Sequence, residues 1–169
     1  SNADGSVQYI EFFTDTNSEE FLSGRTLQSD ANTFVFPNDL PIETANRHFL
    51  VATPAFASQC DQPFAPDYTF TTQTFHSLVA DTLVFEAVGC VTMPCDTFAY
   101  TSGELPTDGY YALHEAFGDT TGTTRTEAAN SPTNFAGQVC LPEPSGWRMQ
   151  AAGLAGVLGL ARWRRRRAH

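Results

Sequence analysis

Lysine is absent from this chain of 169 residues: all nine basic residues are arginine, and only Arg25, Arg47 and Arg125 fall before residue 143. Those three face eighteen Asp and Glu in residues 1–142, a net charge of −15 that the whole-chain value of −10 conceals. Residues 143–169 hold the other six Arg and one Glu, a charge of +5. A body so acidic argues against nucleic-acid binding, which needs a basic face, and disfavours adsorption to anionic lipid headgroups. It suits solubility and loose association with divalent cations. The motifs G-x-S-x-G, H-E-x-x-H and the phosphate-binding P-loop are also missing, and with them the local signatures of three large enzyme classes. His48, His76, His114 and His169 are scattered. His114 and Glu115 are adjacent, but neighbours on a strand face opposite sides. No catalytic residue and no cofactor are assigned, and the expectation is a non-enzymatic protein.

Helical periodicity is equally scarce: no window before residue 142 sustains it over three turns. Short runs rich in β-branched and aromatic residues are present instead: Val7 to Phe13, Thr33 to Phe36, Arg47 to Thr53, Thr82 to Val88 and Asp96 to Tyr100. Ser23-Gly24, Phe36-Pro37-Asn38-Asp39, Pro63 to Asp67 and Pro106-Thr107-Asp108-Gly109 separate them with turn-forming residues. In the first run Val7, Tyr9, Glu11 and Phe13 alternate with Gln8, Ile10 and Phe12. Neither face is purely polar, so this strand is expected to lie between two packed layers. Tyr110 to Phe117 reads equally as a short helix or a strand, and Phe117 to Asn134 as a long exposed loop. Hydrophobic residues make up 41% of the chain, with 14 Phe and 21 Thr, which supports a packed, all-β domain. Ser1-Asn2-Ala3 looks like the remnant of a cleaved expression tag, which leaves one domain at 4–141. Several short strands with turns between them point to a β-sandwich.

Four cysteines, Cys60, Cys90, Cys95 and Cys140, fit an oxidising compartment. Three pairings are possible. A hairpin end would bring Cys90 and Cys95 together, and this favours 90–95 with 60–140. A zinc site is the rival, but the spacing lacks paired C-x-x-C knuckles and no His adjoins the cysteines. Asp15, Asn17 and Glu19, with Glu20 beside them, resemble the first alternating ligands of a calcium loop. The Gly expected at the sixth position and the Glu at the twelfth are replaced by Glu20 and Thr26. A solvated acidic turn is the preferred reading, with calcium the alternative. Tyr68, Tyr100, Tyr110 and Tyr111 would stack on sugar rings if exposed, although most aromatics are more simply core.

The run from Tyr9 to Pro41, followed by Ala45 to Thr53, is similar to lamin-tail domains. The matching stretches are Ile10-Glu11-Phe12, Leu22-Ser23-Gly24-Arg25-Thr26-Leu27, Phe34-Val35-Phe36-Pro37 and Phe49-Leu50-Val51. Arg25 stands where the family often has Trp. The resemblance implies an immunoglobulin-like sandwich, a fold used mostly as an accessory or interaction module.

The last 28 residues have three parts in order. Pro142-Glu143-Pro144 comes first, then the uncharged small-residue stretch Ala151 to Ala161 with Gly153, Gly156 and Gly159, then Arg162 and the block Arg164, Arg165, Arg166 and Arg167. This tail resembles the PEP-CTERM sorting signal of Gram-negative bacteria. The resemblance implies recognition by an exosortase, a membrane-embedded processing enzyme. Eleven residues of helix span about 16 Å against a hydrocarbon core of about 30 Å. So short a hydrophobic helix suits a temporary anchor, stopped by its Arg block. The expected function is an exported module, transiently held at the inner membrane, then sorted to the cell surface or extracellular matrix for a structural or adhesive role. A polysaccharide-binding module of a biofilm matrix is the first alternative. A cryptic hydrolase assembled from distant residues is the second.

Overall fold

The computed structural model describes residues 1–86, 96–116 and 124–141. Over these residues the chain is β-structure, with one short 3-10 turn at Phe56–Gln59. The strands are β1 (Tyr9–Thr14), β2 (Thr26–Gln28), β3 (Thr33–Val35), β4 (Arg47–Ala52), β5 (Tyr68–Thr69), β6 (Asp81–Phe85), β7 (Asp96–Tyr100), β8 (Tyr111–Glu115) and β9 (Arg125–Ala129). They form a three-stranded sheet ordered β1-β4-β5, a four-stranded sheet ordered β3-β2-β6-β7, and a two-stranded β8-β9 ribbon. β1 pairs antiparallel with β4 from Tyr9↔Ala52 to Thr14↔Arg47, whereas β5 joins the other side of β4 in parallel.

The first two sheets share one core. Phe49, Val51 and Tyr68 from the first sheet meet Leu27, Phe34 and Leu83 from the second, giving a sandwich-like arrangement. Its rings meet mostly edge-on: Phe34–Phe36 at 5.1 Å and 82°, and Phe36–Tyr68 at 5.0 Å and 86°, the geometry that ring quadrupoles favour. In the central strand β4, Phe49 and Val51 enter this core while Leu50 and Ala52 enter a smaller one with Phe56 and Cys140. A strand covered on both faces reads as a continuous apolar run, as Phe49-Leu50-Val51-Ala52 does. The alternation in β1 resolves in the same way, with Ile10 and Phe12 against the main core and Val7 and Tyr9 against the smaller one.

Buried polar side chains fix the connections. Gln8 is fully buried; its Oε1 accepts from Phe75 N at 2.7 Å and His76 N at 3.1 Å, and its Nε2 donates to His76 O at 2.7 Å. Asp67, half-buried, accepts from Leu50 N (2.8 Å) and Phe135 N (2.9 Å). Asp81 accepts from Asp30 N and Ser77 N, each at 2.7 Å. The Ser23-Gly24 turn folds onto Phe36, with Gly24 N donating to Phe36 O at 2.9 Å. Gly24 has φ +80°, the left-handed region where a side chain is strained.

Several sequence expectations change here. Tyr110 to Phe117 contains strand β8, because its pairing with β9 settles the ambiguity. The stretch Phe117 to Asn134 is not wholly an exposed loop: it contains β9, and Pro132 and Asn134 are buried. Asn134 holds the next turn in place, its Nδ2 donating to Ala65 O at 3.0 Å and its Oδ1 accepting from Gln138 N at 2.9 Å. The short strands β2 and β5 are additions to the strands expected from the sequence. The run Thr82 to Val88 forms a strand over Asp81–Phe85, and residues 87 and 88 lie outside the described residues. Ser1 and Asn2 fold onto the domain, Ser1 Oγ donating to Pro106 O at 3.2 Å and Asn2 Oδ1 accepting from Val7 N at 2.9 Å.

Candidate functional site

The β8–β9 ribbon has no strand pairing with either larger sheet among the described residues. Polar bonds at its corners hold it. The Tyr9 hydroxyl donates to Asn130 Oδ1, and Asn130 Nδ2 donates to Gly109 O at 3.1 Å. At the other corner the Arg125 guanidinium donates to Ala99 O and pairs with Glu104 at 3.2 Å. The carboxyl of Glu104 accepts from Thr101 N at 2.6 Å and Thr101 Oγ1 at 2.8 Å. These bonds, with the Arg125 charge, hold it below the usual carboxylate range.

Between these corners lies a cleft of about 670 Å³, within the range of small-ligand sites. Its apolar lining includes Ile10, Phe12, Phe85 and Phe98, partly buried residues packed against the main core, and Leu113 from the ribbon. Glu11, Asp96 and Glu115 bring carboxylates to the same cleft, together with His48, His76 and His114. No Arg lines it among the described residues; Ser1 does, and burial lowers the pKa of its amine.

Glu11 is the best-defined polar group. Its Oε1 lies 2.7 Å from His48 Nδ1, off-line for a straight hydrogen bond, and it accepts from Thr133 N at 3.2 Å. Burial raises its pKa, against the pull of the His48 charge and the Thr133 bond. Asp96 is raised by burial as well, opposed by the Thr97 N–H. Deeper, His76 Nδ1 lies 2.8 Å from the Tyr100 hydroxyl, which donates to Ser77 O. That direction leaves His76 Nδ1–H as the donor toward Tyr100. Burial lowers the His76 pKa and raises that of Tyr100, so both stay neutral at neutral pH.

The Glu11–His48 pair has two members of an acid–base relay. Among the described residues no serine, threonine or cysteine hydroxyl or thiol hydrogen-bonds to His48, whose ring instead lies 4.9 Å from that of Phe13. The arrangement is suited to binding: an apolar trough bordered by carboxylates.

The raised pKa of Glu11 has a testable consequence. A carboxyl whose folded pKa exceeds its unfolded value binds more protons when folded, so stability falls as pH rises from the unfolded to the folded pKa. Glu11→Gln keeps the acceptor for Thr133 N and removes that penalty. The variant is expected to melt higher than the parent at pH 7–8, with the gain vanishing below about pH 4. Thermal melts of both proteins across this range check it. His76 acts in the opposite sense, its contribution being lost as pH falls below about 6.5, and is common to both proteins.

The candidates named from the sequence fall in different places. Cys60 and Cys140 form a disulfide with Cα atoms 5.0 Å apart. Cys90 and Cys95 lie outside the described residues, as do Pro142, Glu143, Pro144, Ala151, Gly153, Gly156, Gly159, Arg162 and Arg164–Arg167. Asp15, Asn17 and Glu19 occupy the turn after β1, where Asn17 Oδ1 accepts from Ala45 N at 3.0 Å. That bond uses one of the two lone pairs of the oxygen. Among the described residues no three His, Cys, Asp or Glu side chains come together as a metal-binding group. Tyr68 and Tyr100 are buried, and the Tyr68 hydroxyl donates to Asn38 O at 3.0 Å with its pKa pushed up to about 12 by burial. Tyr110 and Tyr111 are exposed. His114 and Glu115 both line the cleft. Neither the cleft nor the role of Gln8 is legible in the sequence; a lone Gln within Val7 to Phe13 is the available signal for the latter.

No family profile, curated protein or solved structure matches this chain.

Proposed function

We propose that this protein is an exported, non-enzymatic β-sandwich module sorted to the cell surface or extracellular matrix, where it has a structural or adhesive role. The observation that carries the reading is the order of the last 28 residues: Pro142-Glu143-Pro144, the uncharged stretch Ala151–Ala161, then Arg162 and Arg164–Arg167. That order resembles the PEP-CTERM signal, and an exosortase is the implied partner. Charge at the end resists transfer through hydrocarbon, while a short apolar stretch suits a transient anchor. The Cys60–Cys140 disulfide supports an oxidising destination, since such bonds persist outside the reducing cytoplasm. Within this reading the domain is an immunoglobulin-like, lamin-tail-like sandwich followed by a hydrophobic C-terminal helix. That architecture assigns no reaction by itself.

One observation favours a second reading, binding of matrix polysaccharide. Tyr110 and Tyr111 are 49% and 45% exposed and adjacent at the start of the ribbon, and exposed aromatic rings stack on sugar faces. A glycan array run beside a hydrolase substrate panel separates the possibilities. Silence in both supports the structural role. Glycan binding lost in Tyr110→Ala or Tyr111→Ala would replace it with the polysaccharide reading, and turnover in the panel would overturn the non-enzymatic assignment.

A further inference from the structure

Among the described residues, the cleft between β1, β6, β7 and β8 leaves one edge of the main core uncovered. Ile10, Phe12, Phe85 and Phe98 are packed against that core yet only partly buried, and they line a volume of about 670 Å³. Glu11, Asp96 and Glu115 bring carboxylates to its border beside His48, His76 and His114, and the domain as a whole is strongly acidic. Two of the three arginines before residue 143 are engaged elsewhere. Arg47 stacks on Phe135 at 4.9 Å, and Arg125 pairs with Glu104.

The occupant that complements such a surface is apolar with a basic end, and this chain carries one. Ala151 to Ala161 is uncharged, with Leu154, Val157 and Leu158 at i, i+3 and i+4, positions that share one face at helical spacing. The five arginines Arg162 and Arg164–Arg167 follow at once. The domain at −15 and the tail at +5 are opposite in sign. Geometry allows the meeting. Leu141 O accepts from Asp61 N at 3.1 Å beside the Cys60–Cys140 bond. Cys140 and Tyr9 line one small cavity together, and Tyr9 also lines the large cleft. The nine residues 142–150 extend to about 30 Å at most.

We propose that, away from a membrane, the segment Ala151–Ala161 folds back into this cleft of its own chain, with Arg162 and Arg164–Arg167 against its acidic border. The contact need not be strong. A short linker gives an effective concentration in the mM range, so an intrinsic affinity of about 1 mM already keeps half the tails docked. Docking covers the apolar stretch until a bilayer competes for it. It also fills the open side of the core. The inference stands on the cleft and the tail chemistry, and holds or fails independently of the sorting reading.

The chain provides its own probe, because its two tryptophans, Trp147 and Trp163, flank Ala151–Ala161. Tryptophan fluorescence of the full chain, free of detergent and lipid, therefore reports on the tail. Docking predicts blue-shifted emission, protection from acrylamide, and no change of either on dilution. Leu113→Asp places a charge in the cleft wall and is expected to lower the docked population roughly tenfold or more, with red-shifted emission and restored quenching. Leu158→Asp alters only the tail, so it tests the same contact without risk to the folding of the domain, and predicts the same loss. Water-exposed emission in the parent chain would overturn the proposal. So would protection that disappears on dilution, which would assign the cover to other copies, or protection that survives Leu158→Asp.

Discussion

Replacing Cys60 and Cys140 by serine is expected to destabilise the domain by about 4 kcal/mol, the loop-entropy value for this separation. The bond joins residues 80 apart in sequence, so without it the unfolded chain regains a large loop. It also anchors the segment that completes the fold. Cys140 N donates to Pro132 O at 2.9 Å, and the neighbouring Leu141 O accepts from Asp61 N at 3.1 Å. Phe135, in the same segment, sits in the main core with its N–H on Asp67. Releasing Cys140 therefore weakens a covalent closure and the seating of residues 131–141 together. Urea unfolding of the parent, the double serine variant and the reduced parent measures the effect. A loss well below 1 kcal/mol would mean that the non-covalent contacts of this segment suffice.

Gln8→Met is expected to cost about 4 kcal/mol, although it keeps the side-chain volume and raises its hydrophobicity. The Gln8 amide serves Phe75 N, His76 N and His76 O, where Phe75 and His76 are buried. Methionine leaves three buried backbone groups without partners, and each costs about 1–3 kcal/mol. A purely hydrophobic account of this position predicts the opposite sign. Thr53→Val is the milder companion: Thr53 Oγ1 accepts from Gln8 N at 3.0 Å and donates to Ser6 O at 2.8 Å. It is expected to cost about 2 kcal/mol. Denaturant titration of both variants decides the ranking.

The legibility of this chain follows from its physics. Val7 to Phe13 and Arg47 to Thr53 are readable because their side chains enter packed layers on both faces, and apolar density survives in sequence. β2 and β5 are not, since Thr26-Leu27-Gln28 and Tyr68-Thr69 each carry a single apolar or aromatic residue, and composition does not mark them. β9 escapes notice for a related reason. Its residues Arg125-Thr126-Glu127-Ala128-Ala129 are largely exposed, so no alternation of apolar residues marks them. Asn134 reads as loop and is buried, because its amide satisfies backbone groups of a turn, a use that composition does not reveal. The Cys60–Cys140 pairing follows by elimination if Cys90 and Cys95 are neighbours. The cleft is a tertiary product: its walls come from β1, β6, β7 and β8, and no stretch of sequence contains it.

These features join in the account proposed above, of a disulfide-closed acidic domain with a basic, apolar-cored tail that directs it to the cell exterior. Its most direct test is the fate of the intact chain, exported behind a secretory leader in a host that has an exosortase. Mass spectrometry of the product and its cell fraction are the readout. The account predicts a chain shortened at or just after Pro142-Glu143-Pro144 and found at the surface or in the medium, with processing abolished when all three residues are replaced by alanine. A full-length chain recovered from the exosortase-bearing host, indistinguishable from that of the triple-alanine variant, would contradict it.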